Sequence, residues 1–230
     1  MNIIKDADYR IAISRKAGKK LFMWQDFMVV PNMINYSRFQ FNDKARKRIR
    51  KELGIKSGEC LIGCVGRIVK VKNQEYSLKL LRQLPTNYKI VFVGSGAFKG
   101  KRFNHLNKII SDYRLKDRVI FTGEVKNVSD YYSAFDIFWL PSLYEGLPTV
   151  VLEALSNGLY CILSDRITKE IGISRYIKFL PITARGENAW IKETENCGFK
   201  RNDYPLKNID NSIFNTNSVI NEWIKIYQSN

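Results

Sequence analysis

Histidine is almost missing from this 230-residue sequence: His105 is the only one. A lone imidazole in an amphipathic helical pattern, with no partner beside it, reads as an ordinary helix-surface residue. Cysteine is sparse as well. Cys60, Cys64, Cys161 and Cys197 show no zinc spacing. Cys60 and Cys64, four apart on one predicted strand, share a face and read as core thiols, and no disulfide framework is expected. No charge-free apolar run reaches the roughly 18 residues of a membrane-spanning helix. The opening MNIIKDADYR lacks the basic, apolar, small-residue order of a signal peptide, so the expected location is the cytoplasm. Internal repeats and low-complexity segments are absent. Acidic residues are few against basic ones: 22 Asp and Glu face 38 Lys and Arg, a net charge of +16.

That imbalance calls for an anionic partner: nucleic acid, a membrane surface or a phosphate-bearing small molecule. The densest basic run is KARKRIRK, residues 44–51. It reads either as a solvated helix face or as a contact with anionic lipid through Lys44, Arg46, Lys47, Arg48, Arg50 and Lys51. The second reading would place the protein peripherally at the inner face of the membrane. Nucleic acid is not expected, because no helix-turn-helix, zinc finger or aromatic RNA-binding signature accompanies the charge.

Hydrophobic residues make up 45% of the chain, enough for a sizeable core. From residue 60 onward, short apolar runs alternate with amphipathic ones. The apolar runs are CLIGCVGR (60–67), YKIVFVG (88–94), RVIFTG (118–123), DIFWLP (136–141), YCILSD (160–165) and YIKFLP (176–181). They are mostly continuous rather than alternating, as strands buried on both faces should be. Between them lie the helical patterns NQEYSLKLLRQL, KRFNHLNKIISDYRL, VSDYYSAF and LPTVVLEALSN. The alternation predicts an α/β fold, a Rossmann-like doubly wound parallel sheet with right-handed crossovers. The first 40 residues differ. YRIAIS and FMVVPN read as strands around a short helix RKAGKKLF, too few elements for a second core. NSVINEWIKIYQ near the end reads as a helix.

Ligands of open parallel sheets bind at the carboxyl ends of the strands. Unusual residues gather there: Gly66 and Arg67 after the first of these strands, then Lys72 and Asn73; Gly94-Ser95-Gly96 after the second; Thr122 and Gly123 after the third; Glu145-Gly146-Leu147-Pro148 after the fourth. Arg67 and Lys72 could neutralise a diphosphate, Arg bidentately. The amides of Gly146, Leu147 and Thr149 lie at a helix N-terminus and could donate to an anion. In LPSLYEGLPTVVLEALSNG (140–158), Pro148 suits the first helical position and Gly158 the C-terminal cap. Glu153 falls inside the apolar run, eight residues after Glu145. A carboxylate only accepts hydrogen bonds, and an unpaired one is costly to bury. Three readings stand: Glu153 meets the hydroxyls of a sugar or ribose, it pairs with a nearby Lys or Arg, or it takes a surface position on a partly exposed helix. Asp6-Ala7-Asp8 imitates a D-x-D metal motif but precedes the first strand and is discounted; no metal site is expected.

The combination VGRIVKVKN, VFVGSG, RVIFTG, DIFWLPSLYEGLPTVVLEAL and ILSD closely resembles the nucleotide-binding half of the group 1, family-four retaining glycosyltransferases of the GT-B fold. Glu145 and Glu153 match its E-x7-E pair. The resemblance covers roughly residues 9–166, with capsular and exopolysaccharide enzymes the nearest flavour. It implies that Arg67 and Lys72 hold the donor diphosphate and stabilise it as it leaves. It implies further that Glu145 faces the transferred sugar, that Glu153 binds the ribose, that the backbone from Val119 to Thr122 flanks the base, and that Gly66, Gly146 and Leu147 line the sugar and phosphates. The implied donor is a UDP-linked sugar, the acceptor a saccharide or lipid-linked saccharide, and transfer retains configuration without a tightly bound metal or other cofactor. The sequence departs from the family in its first part. Residues 1–40 resemble only a remnant of the acceptor domain, 41–204 the nucleotide-sugar-binding domain and 205–230 a helical tail. The acceptor half is then expected from a missing domain or a partner polypeptide, and Phe22, Trp24, Trp223 and Ile226 are expected to be exposed for it; the alternatives to a transferase are a non-catalytic nucleotide-sugar-binding module and a basic membrane-surface adaptor. Met33 stands where the family usually has Gly, and strain is expected there if the turn needs a positive φ.

Overall fold

The computed structural model describes residues 8–197, 201, 214 and 216–228. Asp6 and Ala7 of the D-x-D sequence lie outside the described residues. The six apolar runs form one parallel sheet: β3 (Cys60–Val65), β4 (Tyr88–Val93), β5 (Val119–Gly123), β6 (Ile137–Leu140), β7 (Tyr160–Ser164) and β8 (Ile177–Leu180), in the order β5-β4-β3-β6-β7-β8. This is the doubly wound arrangement, with the topological switch between β3 and β6. β1 (Ile11–Ala12) and β2 (Met28–Val29) form a separate parallel pair joined through α1 (Arg15–Phe22).

The strands read as continuous apolar runs because each feeds two cores. Leu61, Val91, Phe138, Leu140 and Leu163 face one side, where α5 (Val128–Ala134) and α6 (Thr149–Ser156) pack. Ile62, Ile90, Phe92, Trp139 and Ile162 face the other, under α3 (Gln74–Leu81), α4 (Lys101–Asp112) and α7 (Glu187–Asn196). Cys60 and Cys64 share the second face. Tyr36 and Phe39, before α2 (Asp43–Glu52), belong to the first core. The final helix, α8 (Thr216–Gln228), seats Val219 and Ile226 beside Val30.

The basic run lies on α2, and its arginines divide by face. Arg46 and Arg50, one turn apart, point inward. Arg46 bonds Asp136 Oδ1 at 2.5 Å, and Arg50 bonds Asp136 Oδ2 at 2.8 Å and the Glu59 carbonyl at 2.6 Å. Arg201 joins them, donating to the carbonyls of Ser133 and Phe135 and to Asn157. Its burial, together with the neighbouring Arg46 and Arg50, lowers its pKa to about 9. Arg48 meets Asp130 and Lys47 meets Asp43. Two members of the basic run are therefore structural ties between α2 and the start of β6, while Lys44, Lys47, Arg48 and Lys51 stay exposed.

Three smaller expectations are corrected. Pro148 caps α6 instead of opening it, and the helix begins at Thr149. Met33 does not have a positive φ, so the strain foreseen there does not arise. Trp24 is 95% exposed and Phe22 and Trp223 are half-buried, but Ile226 is buried in a cluster with Val30 and Val219. His105 lies on the surface of α4 as expected, with Nε2 3.0 Å from Glu75 Oε2.

Candidate functional site

The rim takes its shape from what happens just after each strand ends. β3 leads into Gly66, whose φ of 147° only glycine adopts easily. β4 leads into Gly94, where an added Cβ would sit 2.3 Å from the Gly66 carbonyl oxygen. The two loops touch through bare backbone, and no side chain fits between them. Past Gly66 the chain makes a short 3-10 turn, Lys70–Lys72, and Asn73 adopts a left-handed conformation before α3 begins. This folds Lys72 back over Gly66, with its Cε 3.0 Å from where a Gly66 Cβ would be.

Across the switch point, β6 ends in Pro141-Ser142-Leu143. Asn73 Nδ2 donates to the Pro141 carbonyl at 3.1 Å, and the Leu143 amide donates to the Val71 carbonyl at 2.8 Å. These bonds bind the loop after β3 to the loop after β6. Lys72 Nζ and Glu145 Oε1 are thereby brought to 2.7 Å, both largely shielded from solvent. Arg67 is exposed, and its guanidinium makes no hydrogen bond or ion pair among the described residues. One cation is thus held in place and another is uncommitted at the same strand end. Gln74 Nε2 ties down the Arg67 carbonyl at 2.9 Å. Beneath them lies a cavity of about 10 Å³ lined by Gly66, Lys72, Gln74, Trp139 and Pro141. Gln74 Oε1, Trp139 Nε1 and Ser142 Oγ are buried without a partner among the described residues.

α6 starts at the same rim, just after the loop that carries Glu145. In its first turn the Val151 amide donates to the Pro148 carbonyl at 3.0 Å, which leaves the Thr149 and Val150 amides as the ones a helix start does not satisfy, and the helix closes at Gly158 (φ 81°), with the Leu159 amide on the Ala154 carbonyl and the Gly158 amide on the Leu155 carbonyl. The turn before it is pinned from outside: Ser14 Oγ donates to the Gly146 carbonyl at 2.8 Å, and Ile13 packs on Gly146. Leu147 is buried. α1 is fastened nearby, its first amides (Arg15 and Lys16) donating to the Glu170 carboxylate at 2.9 and 3.2 Å. At the other end of the rim Val119 opens β5, and Thr122 near its end is half-buried, its hydroxyl donating to the Gly123 carbonyl.

Glu153 sits in the second turn of α6, and its surroundings differ from those of Glu145. Oε2 accepts the Tyr132 hydroxyl at 2.7 Å, so the charge meets a neutral donor instead of a Lys or Arg. Burial pushes the Glu153 carboxyl above the usual carboxylate range, while the Tyr132 bond and the field of Arg38 pull it back. The carboxylate lines a cavity of about 590 Å³ with Ile13, Thr149, Met33 and Trp223. The structure therefore joins Gly66, Lys72 and Glu145 directly, with Arg67 at the same strand end. Gly146 and Leu147 lead to the adjoining helix start, and Glu153 opens onto a separate cavity. Sequence reasoning did not single out Tyr132 or Gln74, which read as core and helix residues from their periodicity alone.

The model of the family described as glycosyl transferases group 1 matches residues 45–172. A putative glycosyltransferase, EpsF, from Bacillus subtilis is 32% identical over 177 residues, which are 74% of this chain and 45% of that protein. A putative teichuronic acid biosynthesis glycosyltransferase, TuaC, from the same organism is 36% identical over 167 residues, 70% of this chain and 40% of that protein. The chain thus spans less than half the length of either. Among solved structures, sucrose-phosphate synthase from Thermosynechococcus elongatus superposes with a TM-score of 0.82 at 23% identity, covering 99% of this chain and 59% of that one. Anabaena HepE in complex with UDP and glucose superposes at 0.83 and 17% identity, covering 97% and 64%.

Proposed function

The chain belongs to the group 1 glycosyl transferases, with the fold of one GT-B half, and from that membership we propose that it binds a nucleotide-diphosphate sugar, UDP-linked, for retaining transfer to a saccharide or lipid-linked acceptor. The observation that carries this is the Lys72–Glu145 pair at the switch point, 2.7 Å apart, beside the uncommitted Arg67 and the start of α6. A cation next to a carboxylate suits a ligand that is anionic at one end and hydroxylated at the other. Lys72 and Arg67 take the diphosphate oxygens. Glu145 accepts from hydroxyls of the sugar being transferred, and the α6 amides complete the anion site. Glu153 serves the ribose hydroxyls with the acceptor capacity that Tyr132 leaves unused.

In this reading the bond between the anomeric carbon and the diphosphate oxygen breaks. The acceptor hydroxyl bonds to the same face of that carbon, and its proton passes to the departing phosphate. Negative charge grows on the diphosphate, where fixed cations and dipoles stabilise it without reorganisation. The chain's own Arg67 and Lys72 provide that stabilisation. The acceptor surface is assigned to a second domain or a partner polypeptide packed against residues 1–40 and the tail. Exposed Leu21, Met23, Trp24, Ile220 and Ile224 support this assignment.

The test is a thermal-shift series on the purified chain with UDP, GDP, ADP and CMP. A ligand at 100 times its dissociation constant stabilises the fold by about 2.7 kcal/mol. One diphosphate should shift the midpoint, and Arg67→Ala and Lys72→Ala should abolish the shift. Glu153→Ala should cost about 1.5–3 kcal/mol of nucleotide affinity and shrink the shift accordingly. A shift of equal size in all three variants would sink the assignment.

A further inference from the structure

One exposed aromatic ring on the rim has no place in the site described so far. Phe98, in the loop GSGAFKG between β4 and α4, is 65% exposed and has a φ of 68°. Both features are unfavourable. The left-handed region is strained for a bulky residue, and an exposed phenyl face forgoes burial. Glycines at 94, 96 and 100 share the loop, yet the aromatic residue also takes a glycine-like angle.

The ring has a definite seat. Its Cε2 lies 3.3 Å from where a Cβ on Gly123 would be, at the end of β5. On another side it meets Phe103 of α4 edge-on, with ring centroids 5.7 Å apart. Phe103 meets Phe121 at 5.1 Å, and Phe121 stacks on Phe92 at 5.2 Å. The four rings run from the sheet interior to the rim, and Phe98 is the outermost. Three glycines of the loop and Gly123 lie near it in the fold or the chain, and the ring itself is 65% exposed, so its outer face is open.

We infer that Phe98 is the nucleobase platform of the donor site: the base of the nucleoside diphosphate stacks on its exposed face, with the base edge toward the backbone of Thr122 and Gly123. The inference rests on the donor-site reading above and adds a residue that sets nucleotide affinity. Spacing supports it. Lys72 and Glu145 mark the β3/β6 junction, and Phe98 lies over the β4/β5 end. Neighbouring strands are about 4.8 Å apart, so the two positions are about 10 Å apart along the rim, within reach of an extended nucleoside diphosphate. A sugar ring can also lie on an aromatic face, but the transferred sugar belongs beside Glu145, at the opposite end. Stacking tolerates any base, so the ring supplies affinity while the neighbouring backbone edge is left to choose among bases.

The test compares UDP with inorganic pyrophosphate by calorimetric titration of wild type, Phe98→Gly and Phe98→Trp. Glycine accepts the positive φ, so Phe98→Gly should keep or raise the thermal midpoint. UDP affinity should fall roughly 5- to 150-fold in Phe98→Gly and return in Phe98→Trp, with pyrophosphate affinity unchanged throughout. UDP affinity within twofold of wild type in Phe98→Gly would overturn the stacking and leave the diphosphate site standing. A parallel loss of UDP and pyrophosphate would make the ring merely structural, and a gain in UDP affinity would show that it blocks the base; either overturns the inference. Wild type that binds pyrophosphate and UDP equally would also overturn it, and wild type that binds neither would remove the donor reading and the stacking together.

Discussion

Removing the Asp136 carboxylate should cost more stability than removing any exposed acid on this chain. Its side chain is 8% exposed. Oδ1 takes Arg46 at 2.5 Å, and Oδ2 takes Arg50 at 2.8 Å and the Leu61 amide at 2.7 Å. Asp136→Ala would leave a buried backbone N–H without a partner and two guanidinium groups without their counter-charge. Breaking a buried pair from one side costs about 3–5 kcal/mol. Both arginines keep carbonyl partners at Ala134, so the lower end, about 3 kcal/mol, is expected. For a chain of this size that is a fall in midpoint of roughly 6–12 °C, against a total stability of about 5–15 kcal/mol. Asp130→Ala is the internal control. It releases Arg48, which is well exposed, and should cost under about 1 kcal/mol. Thermal and urea denaturation followed by circular dichroism would measure both. Equal losses in the two variants would refute the reasoning. They would mean that the inward arginines are solvated well enough without Asp136, and that the basic run is a surface feature.

Two further outcomes follow from ionisation. Burial holds Glu153 above the usual carboxylate range. A raised folded-state value means stability that is full below the unfolded value and lost as pH climbs through the folded one. Glu153→Gln should therefore be more stable than wild type near neutrality, with the gap closing toward about pH 4; a gap that stays constant with pH in urea titrations would contradict this. Cys60, Cys64 and Cys161 are buried and their thiols are pushed up by burial, Cys64 to about 12. Half-buried Cys197 should then be the first thiol to react with a disulfide reagent in the folded protein, the other three appearing only on unfolding; rapid native labelling of Cys60 would show that the sheet opens.

What could be read from the sequence depended on how far apart the deciding residues lie. Each strand declared itself within six to eight residues, because both of its faces are buried and polar interruptions are few. α7 escaped notice for the opposite reason: only Trp190 and Thr194 of its ten residues are buried, too narrow a stripe to show a period. Lys72 and Glu145 are 73 positions apart, yet both could be placed at one rim, since each follows a strand and doubly wound topology makes those two strands neighbours. No such rule governs Arg46, Arg50 and Asp136. Nothing in KARKRIRK tells which cations turn inward, because their acid lies 90 and 86 positions away in a strand that also reads as apolar.

The same limit explains Glu153. Its presence on a buried helix suggested a ligand or a counter-charge, and its partner proved to be a neutral hydroxyl on Tyr132, a residue whose apolar surroundings disguise its polar end. A hydroxyl satisfies part of the carboxylate's acceptor capacity and none of its charge, so the group stays raised in pKa and able to accept more. An acid that served only to hold the fold would gain more from a guanidinium, and Arg38 is near enough to exert a field without closing a pair. The contrast with Asp136 is direct. There, charge is matched by two arginines, the Leu61 amide adds a third bond, and the carboxyl is enclosed at 8% exposure. Glu145 and Glu153 each accept one side-chain bond, from Lys72 and from Tyr132, and on the proposed reading the acceptor capacity they keep is what separates a site from a tie in the fold.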